Sequence, residues 1–570
     1  MKRLFIIQVA CLLAVFALLL ASPAIAQNKP TQVEEVTIVG NFTPKVADAN
    51  KITKSPVLKD TSISLPPMSY GIISSPVSFS YPISDIQPAK PKPQPDPIFG
   101  RNYLRLGFGN YTTPYVEFFA GKTQSKTAAF DIHFKHLSSK GDISDYYESG
   151  FSQNDLNINA KILTKKYAIS FGGDYSRNSF QYYGFKPDQF ITLHVPAADS
   201  LKQITNLFTL KTRFESLKGA AKLHHAFGAE VNYMIDHYDA SELLINLDGM
   251  LDAEVSVLDG SISQTVGLGL NFKNLNNQWE IYDSKSRMLF ELNPYYNAEF
   301  NEYSLHIGAK IFMADDSTSS IYFAPDIRAS INAISGVLRL YAGLTGEIHT
   351  NSLKDLYGVN PYLFTTDHLL FSRNLFDFYG GVNASLSKFI DLNSWIVVGT
   401  IENKAQYYHP YQTVPYNRIM LLYDDVKRIR LNAEVTYQEK DKFRMVAGLA
   451  WQTGTPDRLS EVWYFPSIEG WLNGQVNLFP DFIAKASLKY FSQMKALYYY
   501  SQIENNITTI SSELKKIDGY ADLSLGAEYR LTPKFSLFLD INNVFGSNYE
   551  YWYNYPHYGI NAIGGLTFAF

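Results

Sequence analysis

Asn561-Ala562-Ile563-Gly564-Gly565-Leu566-Thr567-Phe568-Ala569-Phe570 closes the chain. Ala562, Gly564, Leu566, Phe568 and Phe570 occupy every second position, so an extended strand sets all five on one face. The same two-residue period recurs upstream. Ala521, Leu523, Leu525, Ala527 and Tyr529 interleave with Asp522, Ser524, Gly526, Glu528 and Arg530. Ile429, Leu431, Ala433, Val435 and Tyr437 interleave with Arg430, Asn432, Glu434 and Thr436. Leu156, Ile158, Ala160 and Ile162 alternate with Asn157, Asn159 and Lys161, and Phe130, Ile132 and Phe134 with Asp131, His133 and Lys135. Each segment therefore has one apolar and one polar face, and the region 101–570 reads as all-β.

A soluble sandwich alternates in the same way, and three further features separate the two cases. Short turns occur at Thr164-Lys165, Leu258-Asp259-Gly260, Asn301-Glu302, Ile334-Ser335-Gly336, Pro480-Asp481 and Thr532-Pro533. Between them lie longer, tyrosine-rich connections near 178–204, 272–285, 350–373, 453–465, 498–514 and 546–557. Alternating short and long connections are those of a transmembrane antiparallel β-barrel. Tyr498-Tyr499-Tyr500 and Tyr551-Trp552-Tyr553 are expected at the membrane interface as girdle residues. The last feature is the terminal aromatic: Leu566, Phe568 and Phe570 resemble the signal by which outer-membrane barrels are assembled. One strand per alternating stretch gives about 22 strands, give or take about four. A strand of about 10 residues crosses the bilayer, which suits this spacing. A barrel of that size has a lumen too wide for its own wall side chains to fill.

The N-terminal part reads differently. Met1-Lys2-Arg3, the apolar run Leu4 to Ala21 and Ala24-Ile25-Ala26 have the order of a signal peptide, expected to be cleaved before Gln27. The only cysteine, Cys11, lies in that leader, so disulfides, thiolate metal sites and cysteine catalysis are excluded from the mature chain. Of 50 Lys+Arg and 54 Asp+Glu, the leader removes Lys2 and Arg3 and leaves 48 against 54, a net −6. Nucleic acid is not an expected partner of so mildly acidic a chain. Residues 27–100 hold 12 of the 26 prolines and end in a run of alternating prolines from Pro91 to Pro97. Such density removes amide donors and fixes φ, so an extended segment is expected there, in the periplasm or inside the lumen.

Phe535-Ser536-Leu537-Phe538-Leu539-Asp540-Ile541-Asn542-Asn543-Val544-Phe545, with Tyr549, is similar to the second-last strand of TonB-dependent outer-membrane receptors, and Tyr558–Phe570 to their last. The opening Tyr103-Leu104-Arg105-Leu106-Gly107-Phe108-Gly109-Asn110-Tyr111 looks like superfamily members from the Bacteroidetes phylum. The resemblance is loose over 101–570 and good over 535–570. It implies a barrel in the outer membrane of a Gram-negative cell, with outer-membrane lipids and the barrel-assembly machinery as partners. TonB and a surface lipoprotein are further partners it suggests. Val33–Gly40 looks like the TonB-contacting box, with Glu35, Val36, Thr37, Ile38 and Val39 at its centre. Such a peptide can add a strand to a partner's sheet edge, although a plain apolar tether has the same look. The family normally carries a folded plug, and the short, proline-dense 27–100 segment is a poor candidate for one.

No enzyme motif emerges. His133 and His136 are three apart on a strand and face opposite sides, as do the adjacent His224 and His225, so no metal site or cofactor is expected. Gly107-Phe108-Gly109 is a lone Gly-x-Gly that suits barrel curvature better than a phosphate. Asp315-Asp316 and Asp424-Asp425, expected in loops, lack a repeated calcium pattern. Arg105, Lys161, Lys211, Arg213, Arg339, Arg430, Glu434, Lys485, Lys489, Asp522, Glu528 and Arg530 fall on the inward face, where ion pairing and hydration are the plain expectation. Transport of a solute across the outer membrane is the leading reading. The alternatives are a non-transporting structural subunit of an assembly or secretion complex and a passive diffusion porin.

Overall fold

The computed structural model describes residues 102–570 except 124, 188–197, 218–222, 258–261, 281, 365–367, 412–416 and 505–506. The leader, the 27–100 segment, the peptide Glu35–Val39 and the Leu258-Asp259-Gly260 turn lie outside the described residues.

In chain order the strands begin β1 (Tyr103–Gly109), β2 (Thr113–Lys122), β3 (Ala128–Ser139), β4 (Phe151–Leu163), β5 (Tyr167–Gln181), β6 (Lys202–Ser216), β7 (Leu223–Asp236), β8 (Ser241–Val255) and β9 (Ser263–Gln278). They continue with β10 (Lys285–Phe300), β11 (Tyr303–Asp315), β12 (Ser319–Ile334), β13 (Leu338–His349), β14 (Ser372–Ser387), β15 (Ile390–His409), β16 (Met420–Glu439), β17 (Phe443–Pro456) and β18 (Ile468–Phe479). The last are β19 (Phe482–Phe491), β20 (Met494–Glu504), β21 (Ile507–Ile517), β22 (Tyr520–Arg530), β23 (Phe535–Asn542), β24 (Glu550–Trp552), β25 (Tyr555–Pro556) and β26 (Asn561–Ala569). Each barrel strand pairs antiparallel with the next. The ladder passes from β19 directly to β22 and from β23 directly to β26. Thus β20–β21 and β24–β25 are hairpins set into connections, and 22 strands form the wall. β26 closes on β1 from Tyr103↔Ala569 to Gly109↔Ile563, which leaves the sheet no open edge.

All the described short turns named from the sequence fall at one end of the barrel, with the ends of β1 and β26. The opposite end carries 182–201, 350–371, 410–419, 457–467, 492–519 and 543–560, and by the usual asymmetry it faces outward from the cell. The expected connection 272–285 is shorter than its polarity suggests. Residues 272–278 extend β9 beyond the lipid zone, where polar side chains suit both faces. The expected connection 498–514 is itself the β20–β21 hairpin.

Residues on the apolar face of each strand point outward. Leu210 is 67% exposed, Phe108 63% and Leu566 52%, values that make sense only against lipid. Phe570 stacks on Phe568 and on Phe118 along this outer surface, so the terminal aromatic belongs to the lipid-facing side.

Candidate functional site

The inner wall is polar, and several of its charges pair along one strand, with the next strand or across an intervening one. Arg105 reaches Asp540 at 2.9 Å and lies over the Phe538 ring at 3.7 Å. Lys211 meets Asp174 at 2.8 Å, and Arg213 meets Asp248 at 3.1 Å and Glu215 at 3.3 Å. Arg430 donates to Glu469 and to Gln452, both at 2.9 Å. Glu434 accepts from the Trp471 indole, Arg339 donates to Ser330, and Lys489 sits opposite Asp522 on the β19–β22 ladder. Lys161 and Asp131 line the same recess as Lys211. Arg105, Lys211, Arg213 and Arg430 are thus ion-paired, whereas Arg339 and Glu434 bond neutral partners.

The outward end is where distant parts of the chain converge. The 350–371 connection begins with Ser352, whose hydroxyl accepts from the Asp355 N–H and caps the short helix α1 (Leu353–Val359). Leu353, Leu356 and Tyr357 are the buried face of α1. Glu242 at the start of β8 accepts from the Leu353 N–H at 2.9 Å, while Lys354 bonds Glu230 and Asn232 on β7. The Tyr357 hydroxyl donates to Asp236 at 2.7 Å. These bonds hold the connection against the inner surface of β7 and β8.

From there Tyr362 reaches the centre of the mouth. Its ring stacks on Tyr555 of the 543–560 connection, with centroids 3.6 Å apart and planes 13° apart. Tyr183 of the 182–201 connection meets both rings edge-on, at 5.9 Å and 5.1 Å. The three connections are rooted about a third of the circumference from one another. Side chains from roots so far apart can meet only near the barrel axis, so the loops form a cap across the lumen. Ile143, Ile419, Trp463, Tyr464 and Trp552 belong to the same apolar cluster. Burial pushes the Tyr362 hydroxyl up to about 12, which keeps this loop ring neutral.

A second contact ties four connections together. Arg418 donates to the Ser200 carbonyl at 3.0 Å. Its guanidinium lies 5.2, 4.5 and 4.4 Å from the rings of Tyr182, Tyr238 and Phe364. Cation–π contacts of this kind are worth about 0.5–2 kcal/mol each, depending on desolvation.

The tyrosine runs expected as girdles are placed otherwise. Trp552 is buried in the cap, and Tyr498 packs with His409 and Tyr553 above the wall. Rings at the mouth bury more apolar surface against one another than against headgroups. The histidine pairs do diverge. His224 faces Asp252 at 3.0 Å inside, whereas His225 stacks on Phe214 and packs at a tilt against Tyr167 on the outer surface. Asp424 and Asp425 lie on β16 rather than in a loop. Asp424 accepts from the Arg458 and Leu459 N–H groups and fixes the 457–467 connection, while Asp425 accepts from the Asn403 N–H where the β15–β16 register shifts. Among the described residues no group of three or more His, Cys, Asp or Glu side chains could hold a metal ion.

No protein-family model matches the chain, and no curated protein matches its sequence. Solved structures do match. The ferric-catecholate import receptor Fiu of E. coli K12 has a TM-score of 0.59 at 10% identity, over 83% of this chain and 82% of that one. The pyoverdine outer-membrane receptor FpvA of Pseudomonas aeruginosa PAO1 gives 0.59 at 13% identity, over 82% and 78%. The FrpB iron transporter of Neisseria meningitidis gives 0.59 at 10%, over 83% and 82%. Identities this low carry the fold alone, a closed barrel of antiparallel strands.

Proposed function

We propose that this chain is a gated transport barrel of the outer membrane, in which a solute enters when the loop cap opens and then crosses the polar lumen. The supporting observation is the meeting of Tyr183, Tyr362 and Tyr555 over a polar lumen. A passive porin leaves its mouth open, whereas a cap built from three separated arcs can be released by ligand or by energy input. Planar-bilayer conductance of the full mature protein tests this against a Tyr362→Ala/Tyr555→Ala variant. The expected result is a small wild-type conductance and a several-fold larger one in the variant. Equal conductances would overturn the gate.

On the same reading, residues 27–100 act from the periplasmic side or within the lumen in place of a standard plug. Glu35, Val36, Thr37, Ile38 and Val39 offer TonB an extended edge. Deleting 33–39 is then expected to abolish co-purification with TonB while leaving conductance unchanged. Retained binding would remove this peptide from the mechanism. No catalytic role and no cofactor are proposed.

A further inference from the structure

The short-turn end of the barrel carries its charges unevenly. The 123–127 connection between β2 and β3 holds Lys126, and Lys122 ends β2 beside it. The 164–166 connection between β4 and β5 adds Lys165 and Lys166. Neither connection contains an Asp or a Glu. All four lysines are exposed, and none of their ammonium groups has an ion-pair or hydrogen-bond partner among the described residues. Other turns at this end differ. Lys440 and Lys442 alternate with Glu439 and Asp441, while 301–302 and 480–481 contribute only Glu302 and Asp481.

The backbone sets the two basic connections side by side. The Leu163 N–H donates to the Thr127 carbonyl at 2.7 Å, where β3 meets β4. Ser125 Oγ accepts from the Thr127 and Ala128 N–H groups, and Thr164 Oγ1 from those of Lys166 and Tyr167. These turns therefore satisfy their own amides, and the lysine heads are the groups left to bind a ligand.

Their depth points to lipid. Lys122 continues the outward face of Val116, Phe118 and Ala120, and its register partner Phe130 is 57% exposed on that surface. Ile162 is exposed there too. Tyr167, the first residue of β5, packs on Phe214 along the outer wall with ring centroids 4.9 Å apart. Aromatic rings at the edge of the lipid-facing band mark the membrane interface. Lys166 and Lys165 follow Tyr167 by one and two residues, which puts them in the headgroup layer. A lysine there runs its methylenes over the apolar wall and extends its ammonium among the headgroups. A protein partner would have to displace lipid to reach Lys122.

We infer that Lys122, Lys126, Lys165 and Lys166 form a docking arc for the phosphate of an anionic phospholipid in the periplasmic leaflet. The lipid's acyl chains lie on Phe130 and Ile162. The arc is separate from the lumen and from the loop cap, so it goes beyond the transport reading and does not depend on it.

Native mass spectrometry of the full mature protein in neutral detergent tests this, with phosphatidylglycerol and phosphatidylethanolamine added at equal concentration. One lysine near an anionic lipid surface is worth about five-fold in binding, so at least that preference for phosphatidylglycerol is expected. The preference should shrink as ionic strength rises. Lys122→Gln/Lys126→Gln/Lys165→Gln/Lys166→Gln is expected to abolish it, and Lys440→Gln/Lys442→Gln to leave it intact. If the four-fold variant does not fold, Lys122→Gln/Lys126→Gln and Lys165→Gln/Lys166→Gln are each expected to reduce the preference. Equal retention of the two lipids by the wild type would overturn the inference. So would an unchanged preference in a folded arc variant, or the same loss in the Lys440→Gln/Lys442→Gln variant. Tighter binding of a polyglutamate peptide than of phosphatidylglycerol would assign the arc to an acidic protein instead.

Discussion

Arg287 on β10 is fully buried, and its guanidinium donates to the Thr350 carbonyl at 2.7 Å, to Glu242 at 3.2 Å and to Asn277 at 3.3 Å. Glu242 is the group that holds the first turn of α1. Arg287→Met leaves a buried carboxylate without its cation, a loss of about 3–5 kcal/mol. The expected readout is a lower denaturant midpoint and faster proteolysis within 350–371, and Glu242→Gln added to the first change should recover part of the loss. No local pattern marks Arg287 in the sequence, because its partners lie at 242, 277 and 350. Gly565 is the opposite case. A β-carbon there would come within 2.0 Å of the Leu106 carbonyl oxygen and 2.7 Å of the Gly107 α-carbon, across the closing seam. At Gly474 a β-carbon would meet nothing within 4 Å. Gly565→Ala is expected to cut the yield of folded, heat-modifiable barrel on a gel, and Gly474→Ala to leave it unchanged. Glycine near the end of the chain was visible in the sequence, but which glycine carries the close approach depends on the register of β26 against β1.

The wall strands vary from seven residues in β1 to 20 in β15 and β16. Their apolar–polar period was legible because each strand writes its two faces locally. The connections were legible only as long and polar. Their packing makes the cap sensitive to acid. His409, at the outer end of β15 and far beyond the ten or so residues that cross lipid, meets Asn417 at 2.9 Å and Tyr464 at 2.6 Å. Burial depresses it to about 4, and burial also lowers His557 in the 543–560 connection. With folded values below the unfolded value near 6.5, the unfolded loops take up protons first as pH falls. The contribution of His409 is therefore complete above about pH 6.5 and is lost as pH falls toward 4, by about 1.4 kcal/mol per pH unit, and that of His557 is lost in the same direction. Hydrogen exchange in 410–419 and 543–560, corrected for intrinsic rate, should be faster at pH 5 than at pH 7.5. Equal protection would mean that these rings do not hold the cap.

At the scale of the molecule, closure makes every stave depend on both neighbours, and the last strand completes the ring. We propose that Leu566, Phe568 and Phe570 are read by the assembly machinery before they reach lipid. Phe570→Ala is expected to lower the amount of barrel in the outer membrane several-fold while leaving the thermal stability of assembled protein within about 0.5 kcal/mol, as for other surface changes. Equal amounts in the membrane would remove the signal role.

Strand period, the contrast of short and long connections, the strand number and the polar inner face all followed from residue order alone, since each is written within a few residues of itself. The meeting of Tyr183, Tyr362 and Tyr555 and the Arg418 contacts were decided only by tertiary structure. Their parts lie hundreds of residues apart, and only the curvature of a closed 22-stranded wall brings them to one axis.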